Sequence, residues 1–319
     1  VAVGKGLQWH TVSVGGSHGC ALTNDGATYC WGSSIAGQLA SDTLGTLTEP
    51  YRMQKAPRFV KISAGENHTC AITTDGKLYC WGENLHAELG SSVFGKYSPV
   101  VQVAPQLTWA RVSAGPHDSC GITVEGKLYC WGLDNGGAIG VEAADACEMD
   151  GEPAQCALPL RQPADSLRFT TVATGETHSC AITGGGVLYC WGSNDRGQLG
   201  SGLREPLGPT PVMGEQRWTA VSAGRGFTCA LTTAGVAQCW GADDDGQLAG
   251  SAADATVPAP VAGSARFIAL SSGAAHSCAL STDHLVYCWG SNGNGQLGTG
   301  SHKRNFEPAK LMFGIADHP

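Results

Sequence analysis

The sequence predicts an all-β chain, a β-propeller of four-stranded antiparallel blades, and three observations carry that prediction. A unit such as Gly65 to Gly90, GENHTCAITTDGKLYCWGENLHAELG, recurs six times, beginning at Gly15, Gly65, Gly115, Gly175, Gly224 and Gly273. The first cysteines of the copies, Cys20, Cys70, Cys120, Cys180, Cys229 and Cys278, stand 50, 50, 60, 49 and 49 residues apart. Each copy joins two alternating apolar segments by a tight turn, with one strand-like segment before them and one after. A fixed period near fifty residues marks a repeat architecture. Four-stranded units repeated radially make a propeller.

The first strand of each blade is predicted at Trp9 to Ser13, Phe59 to Ser63, Trp109 to Ser113, Phe169 to Ala173, Trp218 to Ser222 and Phe267 to Ser271. The second and third are the arms of a hairpin. A three-residue loop at Thr74-Asp75-Gly76 sets Thr73 opposite Lys77, and counting outward sets Cys70 opposite Cys80. Such loops want a left-handed residue last, which Gly supplies. Only Thr282-Asp283-His284 departs from this, and His visits that region more readily than most residues.

Directly opposed cysteines on antiparallel strands come within about 4.5–5.5 Å between Cα atoms, close enough to bond. The expected pairs are Cys20–Cys30, Cys70–Cys80, Cys120–Cys130, Cys180–Cys190, Cys229–Cys239 and Cys278–Cys288. Spacing alone leaves pairing between neighbouring blades open as the rival. A fourth strand is expected to start at Pro50, Pro99, Pro159, Pro211, Pro260 or Pro308, because a proline opening an outer strand costs no ladder bond. Trp31, Trp81, Trp131, Trp191, Trp240 and Trp289 of the Trp-Gly pairs are read as packing between blades. Stacking on a ligand is the competing reading.

Composition narrows the function classes. The chain has 319 residues, 46 of them Gly and only 14% charged, which suits many short strands. The net charge of −8 argues against nucleic acid, since no basic face is there to neutralise phosphates. No apolar run reaches the roughly 20 residues of a membrane-spanning helix. Fourteen cysteines, all assignable to pairs, point to an oxidising compartment: extracellular, cell-surface or periplasmic. The chain opens at Val1 without a Met, which suggests a processed form.

The pattern G-x-x-H-x-C-A-I-T-x-D-G-x-L-Y-C-W-G-x-N-x-x-G-Q-L-G, nearly ideal from Gly175 to Gly200 and from Gly273 to Gly298, resembles the regulator of chromosome condensation repeat. The resemblance covers almost the whole chain and implies a propeller of about fifty-residue blades. Members usually have seven blades. Six complete copies are counted here, seven if the chain is a fragment. Paired cysteines resemble those of secreted bacterial members. The family includes a nucleotide exchange factor for a small GTPase and a bacterial protein inhibitor of β-lactamase, so fold alone does not assign activity.

The whole of 1–319 is read as a single propeller domain, with an insert at about 141–166 in the third repeat, closed by Cys147–Cys156. In a four-stranded blade the first turn and the third-to-fourth loop share one face. Those loops vary in length and chemistry, so function is placed there. The candidate partner-binding residues are Asp134 and, in the insert, Glu148, Met149, Asp150 and Glu152, followed by Asp195, Arg196, Asp243, Asp244 and Asp245. Asp243 and Asp245, closely spaced ahead of Gly246, are also a weak calcium alternative. The histidine series His18, His68, His178 and His276, interrupted by Asp118 and Phe227, is read as structural rather than as a metal site.

No nucleophile–base pair, zinc-type motif, phosphate loop or paired catalytic carboxylates are evident, and no catalytic residue and no cofactor are assigned. The leading expectation is a secreted, non-enzymatic propeller that binds another protein through its variable-loop face. Inhibition of an extracellular or periplasmic enzyme is one specific form of it. The alternatives are a carbohydrate-binding propeller with a glycan partner, and a lyase-like propeller enzyme with a metal near its axis.

Overall fold

The computed structural model describes residues 4, 6–41, 45–54, 56–142, 145–149, 152–203, 208–250 and 253–311. It contains six antiparallel sheets in the chain order the repeats dictate. The first blade is β1 (Trp9–Val14), β2 (His18–Thr23), β3 (Thr28–Ser33) and β4 (Thr46–Arg52). The second is β5 (Phe59–Ala64), β6 (His68–Thr73), β7 (Leu78–Asn84) and β8 (Gly95–Val103). The third holds β9 (Trp109–Ala114), β10 (Asp118–Thr123), β11 (Leu128–Leu133), β12 (Asp145–Met149) and β13 (Glu152–Arg161). The fourth is β14 (Phe169–Thr174), β15 (His178–Thr183), β16 (Leu188–Gly192) and β17 (Thr210–Pro211). The fifth is β18 (Trp218–Ala223), β19 (Phe227–Thr232), β20 (Ala237–Gly241) and β21 (Ala255–Pro260), and the sixth β22 (Phe267–Ser272), β23 (His276–Ser281), β24 (Val286–Gly290) and β25 (Asn305–Lys310). Two compact units divide the chain, Val1–Thr174 and Gly175–Pro319.

Each hairpin closes as its spacing requires. Thr73 N donates to Lys77 O and Gly76 N to Thr73 O. Counting out from that hydrogen-bonded pair places Cys70 and Cys80 directly opposite in a non-hydrogen-bonded position, where Cα atoms approach most closely. All six hairpin pairs are disulfides, each with Cα atoms 4.1 Å apart. That is tighter than the spacing expected from pairing alone. The last loop residue is left-handed throughout, including His284 with φ 62°.

A second glycine is required by close approach. Gly82 of the Trp-Gly pair has φ 108°, and a Cβ there would lie 2.5 Å from Asn67 O. The tight contact lets Glu83 N donate to Asn67 O, which ties the first turn of the blade to the start of its third-to-fourth loop.

The prolines correct the expected fourth strands. Pro50, Pro99, Pro159 and Pro308 lie inside β4, β8, β13 and β25, while Pro211 and Pro260 end β17 and β21. In the first blade Cys30 pairs with Tyr51 and Gly32 with Leu47, so Thr48 to Pro50 bulge out opposite Trp31. The sixth blade repeats this between Asn305 and Ala309. An edge-strand bulge has no ladder bond for the missing N–H to break, so it accepts proline in mid-strand.

The insert also differs from a simple projecting loop. β12 pairs with β13 and becomes the outermost strand of a five-stranded sheet. Cys147 and Cys156 are bonded across it with Cα atoms 5.9 Å apart. Asp145 Oδ2 accepts from Leu158 N and from Arg161.

Packing joins neighbouring blades within each unit. In Val1–Thr174, Cys70, Ile72, Leu78, Leu89 and Val103 pack with Trp109 and Trp131 of the third blade. In Gly175–Pro319, Leu231, Leu248 and Val261 pack with Phe267 and Trp289. Burying each such side chain stabilises by about 1.5–3 kcal/mol. One blade presents apolar residues on both faces, so neighbours are needed to cover them.

Candidate functional site: the loop face

The third-to-fourth loops are built on a common frame. Its first element is a side-chain oxygen that accepts a backbone N–H five residues on. Asn84 Oδ1 accepts from Leu89 N, Asp134 from Ile139 N, Asn194 from Leu199 N, Asp243 from Leu248 N and Asn292 from Leu297 N, at 2.9–3.1 Å. The second element is a glutamine that accepts from the N–H two residues before it. Gln38 takes Ala36 N, Gln198 takes Arg196 N, Gln247 takes Asp245 N and Gln296 takes Asn294 N. In the second blade Glu88 Oε2 does this for His86 N. The same residue's carbonyl receives the indole of the next blade: Trp81 at Gln38, Trp131 at Glu88, Trp240 at Gln198 and Trp289 at Gln247. These tryptophans are fully buried and pack between blades.

Three of the histidine series, His18, His68 and His178, belong to this frame. His18 Nε2 donates to Thr69 Oγ1, which donates to Gln38 O. His68 reaches Ser119 and Glu88 O in the same way, and His178 reaches Thr228 and Gln198 O. Each imidazole therefore fastens its own blade to the next. Burial holds His18, His68 and His178 down to about 4, so they stay neutral. Asp118 takes the place in the third blade, where burial pushes its carboxyl well above the ordinary range.

With that frame known, the acidic candidates separate. Asp134 and Asp243 are frame residues, and burial raises Asp243. Asp195, Arg196, Asp244 and Asp245 line a cleft of about 580 Å³ in the Gly175–Pro319 unit, together with Glu176, Ser193 and Arg225. Arg196 is held by both oxygens of Asp254, at 2.5 and 2.8 Å, and by Asp244 at 2.9 Å. Hydrogen bonds from Arg196 depress the Asp254 carboxyl. Arg225 meets Glu176 at 2.8 Å, and Arg304 lies 3.6 Å from Asp245. The face expected to be an acidic cluster is thus a mosaic of paired charges. Asp243 turns to its own loop while Asp244 and Asp245 turn to arginines, so these carboxylates do not gather around one point.

Glu148, Met149 and Glu152 lie on β12 and β13 of the insert. Asp150 lies outside the described residues.

A cluster that the sequence reading missed sits on the same face between the second and third blades. His86 Nδ1 is 2.8 Å from Glu88 Oε1, and the His86 and His117 rings are 5.3 Å apart. His117 Nε2 faces Glu66 Oε2 at 3.7 Å. Burial would raise Glu88, but hydrogen bonds, first among them the one from His86, offset this and hold it low. The available signal was Glu88 itself, which stands where four other copies carry glutamine.

The comparisons agree with the repeat reading. The model described as RCC1-like domain matches residues 2–262, and that of the regulator of chromosome condensation (RCC1) repeat matches 267–296 and 283–316. Human WBSCR16 superposes with a TM-score of 0.83 at 18% identity, over 97% of this chain and 83% of that one. Yeast RCC1 (Prp20), solved bound to Kap60, gives 0.83 at 20% identity, over 96% and 75%. Another structure of Prp20p, from Saccharomyces cerevisiae and described with its binding to Gsp1p and histones, gives 0.82 at 20% identity over 96% and 77%. Among curated proteins, the E3 ubiquitin-protein ligase highwire of Drosophila melanogaster is 40% identical over 81 residues, 24% of this chain. The chain spans 2% of that protein's length.

Proposed function

The chain belongs to the family of RCC1-like domains, and from that premise we propose that it is a secreted, non-enzymatic propeller that binds another protein through its variable-loop face. The whole of 1–319 acts as one propeller domain. Its contact elements are the cleft around Asp195, Arg196, Asp244 and Asp245 and the insert hairpin that carries Glu148, Met149 and Glu152. Similar propellers are described with protein partners. Seven disulfides fit an oxidising compartment, and extracellular or periplasmic placement follows in this reading. Blocking an extracellular or periplasmic enzyme is its specific form.

The observation that carries the reading is the cleft. Its loops are rigidly framed, yet they display both signs of charge, with Arg225 72% exposed beside Glu176. Alternating charges on a fixed frame give orientation and association rate to a complementary protein surface. The test is capture from the native secreted fraction, using wild type, Arg225→Glu and the swapped pair Glu176→Arg with Arg225→Glu. One protein should be retained by wild type and lost from both variants, and association should slow as salt rises. Equal retention by all three proteins, or retention of glycans alone, would remove this reading.

A further inference from the structure

We propose that His86, Glu88 and His117 form a binding site for one divalent cation of the zinc class, at the junction of the second and third blades. Each residue offers one ligand atom, and the three atoms lie within 4.8 Å of one another. Two imidazoles and a carboxylate are a donor set that zinc takes, with a fourth position left for water or a ligand. In tetrahedral coordination at normal zinc distances the donor atoms stand about 3.3 Å apart. Closing on an ion therefore asks for side-chain shifts of about an ångström, not for movement of the blades.

The chain's own repeats supply the reference for this site. Glu88 stands where the first, fourth, fifth and sixth blades carry Gln38, Gln198, Gln247 and Gln296. Those glutamines need one oxygen to hold the loop. Glu88 performs that task with Oε2 alone. Its second oxygen is the addition, and it is turned to His86. His86 replaces residues as different as Ala36 and Arg196, and His117 replaces Ser17 and Asn67. Three metal-binding side chains have thus been placed, on two blades, at positions where the frame does not require them.

The surroundings suit a cation. Glu88 is 1% exposed and His86 6%, so the carboxylate is shielded from water's competition. His117 is more open, with 24% of its side chain exposed, and this gives an entry path from the loop face. Its Nδ1 is buried with no hydrogen-bond partner among the described residues, while Nε2 faces Glu66. Ligation through Nδ1 would leave Nε2–H directed at a carboxylate, the arrangement that commonly orients a metal-bound histidine. Calcium and magnesium prefer cages of oxygen atoms, which this donor set does not provide.

The experiment uses the whole chain, stripped with chelator and titrated with Zn²⁺ by calorimetry and with Co²⁺ by visible absorption. Wild type should bind one ion per chain, raise its Tm with Zn²⁺ concentration and give the intense visible bands of four-coordinate Co²⁺. The variants are Glu88→Gln, His86→Ala and His117→Asn, each a residue that a sibling blade already carries at that place, so the fold should persist. Each should weaken Zn²⁺ binding by at least about 10- to 100-fold, and the triple variant should lose the Co²⁺ bands. Melting of the metal-free proteins checks that the variants fold. If wild type takes up no Zn²⁺, or if the triple variant binds it as tightly, the proposal is overturned and the cluster is a hydrogen-bonded pair beside a second histidine.

Discussion

The third-to-fourth loops of the second and fourth blades share one frame and hold different chemistry on it. Asn84 and Asn194 make the same bond to Leu89 and Leu199, and Glu88 and Gln198 receive the next blade's indole alike. Yet His86 is buried against Glu88, whereas Arg196 reaches across to Asp244 and Asp254 with 39% of its side chain exposed. The frame satisfies the buried backbone groups, so the residue two places before the glutamine is released from structural duty. Variation collects there, and it is there that His86 and Arg196 are found.

The largest effect should come from breaking the frame in either region. Trp131→Ala and Trp240→Ala remove equivalent buried indoles, and each should cost about 3–5 kcal/mol by denaturant titration. A loss below about 1 kcal/mol in one unit alone would mean that the two loops are not anchored alike.

Next in size are the crosslinks. Replacing Cys180 and Cys190 by Ala opens a loop of separation 10 within a blade and should cost about 2–3 kcal/mol in the loop-entropy picture. The same change at Cys147 and Cys156 should cost less, since that bond closes the added edge hairpin of the insert. The reverse order would show the insert to be integral to the blade.

The histidine fasteners predict a pH dependence. Their folded values are depressed to about 4 from 6.5. The unfolded chain therefore takes up protons first as pH falls below 6.5, and the stability present above that pH is lost progressively toward 4. Asp118, raised by burial, contributes with the opposite sign, so a difference measurement is the clean one. His178→Phe copies Phe227 of the fifth blade and should flatten the curve between pH 6.5 and 4 by up to about 1.4 kcal/mol per pH unit. Parallel curves for variant and wild type would contradict a neutral buried imidazole at that site.

The smallest effect concerns the exposed pairs. Arg225→Ala should change stability by about 1 kcal/mol or less, because solvent-exposed ion pairs contribute little. A larger loss would assign the Arg225–Glu176 contact to the frame and weaken its reading as a display surface.

Much of this fold was legible in the linear chain because the deciding information is local. The cysteine register follows from a three-residue loop and a ten-residue count, and even the left-handed His284 follows from its place in that loop. The prolines were less legible. Opposite Trp31 and Trp289 the outer strand bulges, and an edge bulge accepts proline where a regular strand would not. The paired state of the charged cleft was hidden as well, since Arg196 and Asp254 are 58 residues apart and their meeting depends on how adjacent blades lie side by side.

The sequence by itself thus determined the blades, their hairpins and which cysteines stand opposite each other, because a period-2 strand with a fixed turn has one register that buries its apolar face, while the structure decided that those cysteines bond within a blade and not between blades. Only the tertiary structure decided which polar side chains meet. Blade-to-blade packing sets residues about 30 to 60 positions apart within reach, and it turned a row of acidic loops into ion pairs and gathered His86, Glu88 and His117 in one place.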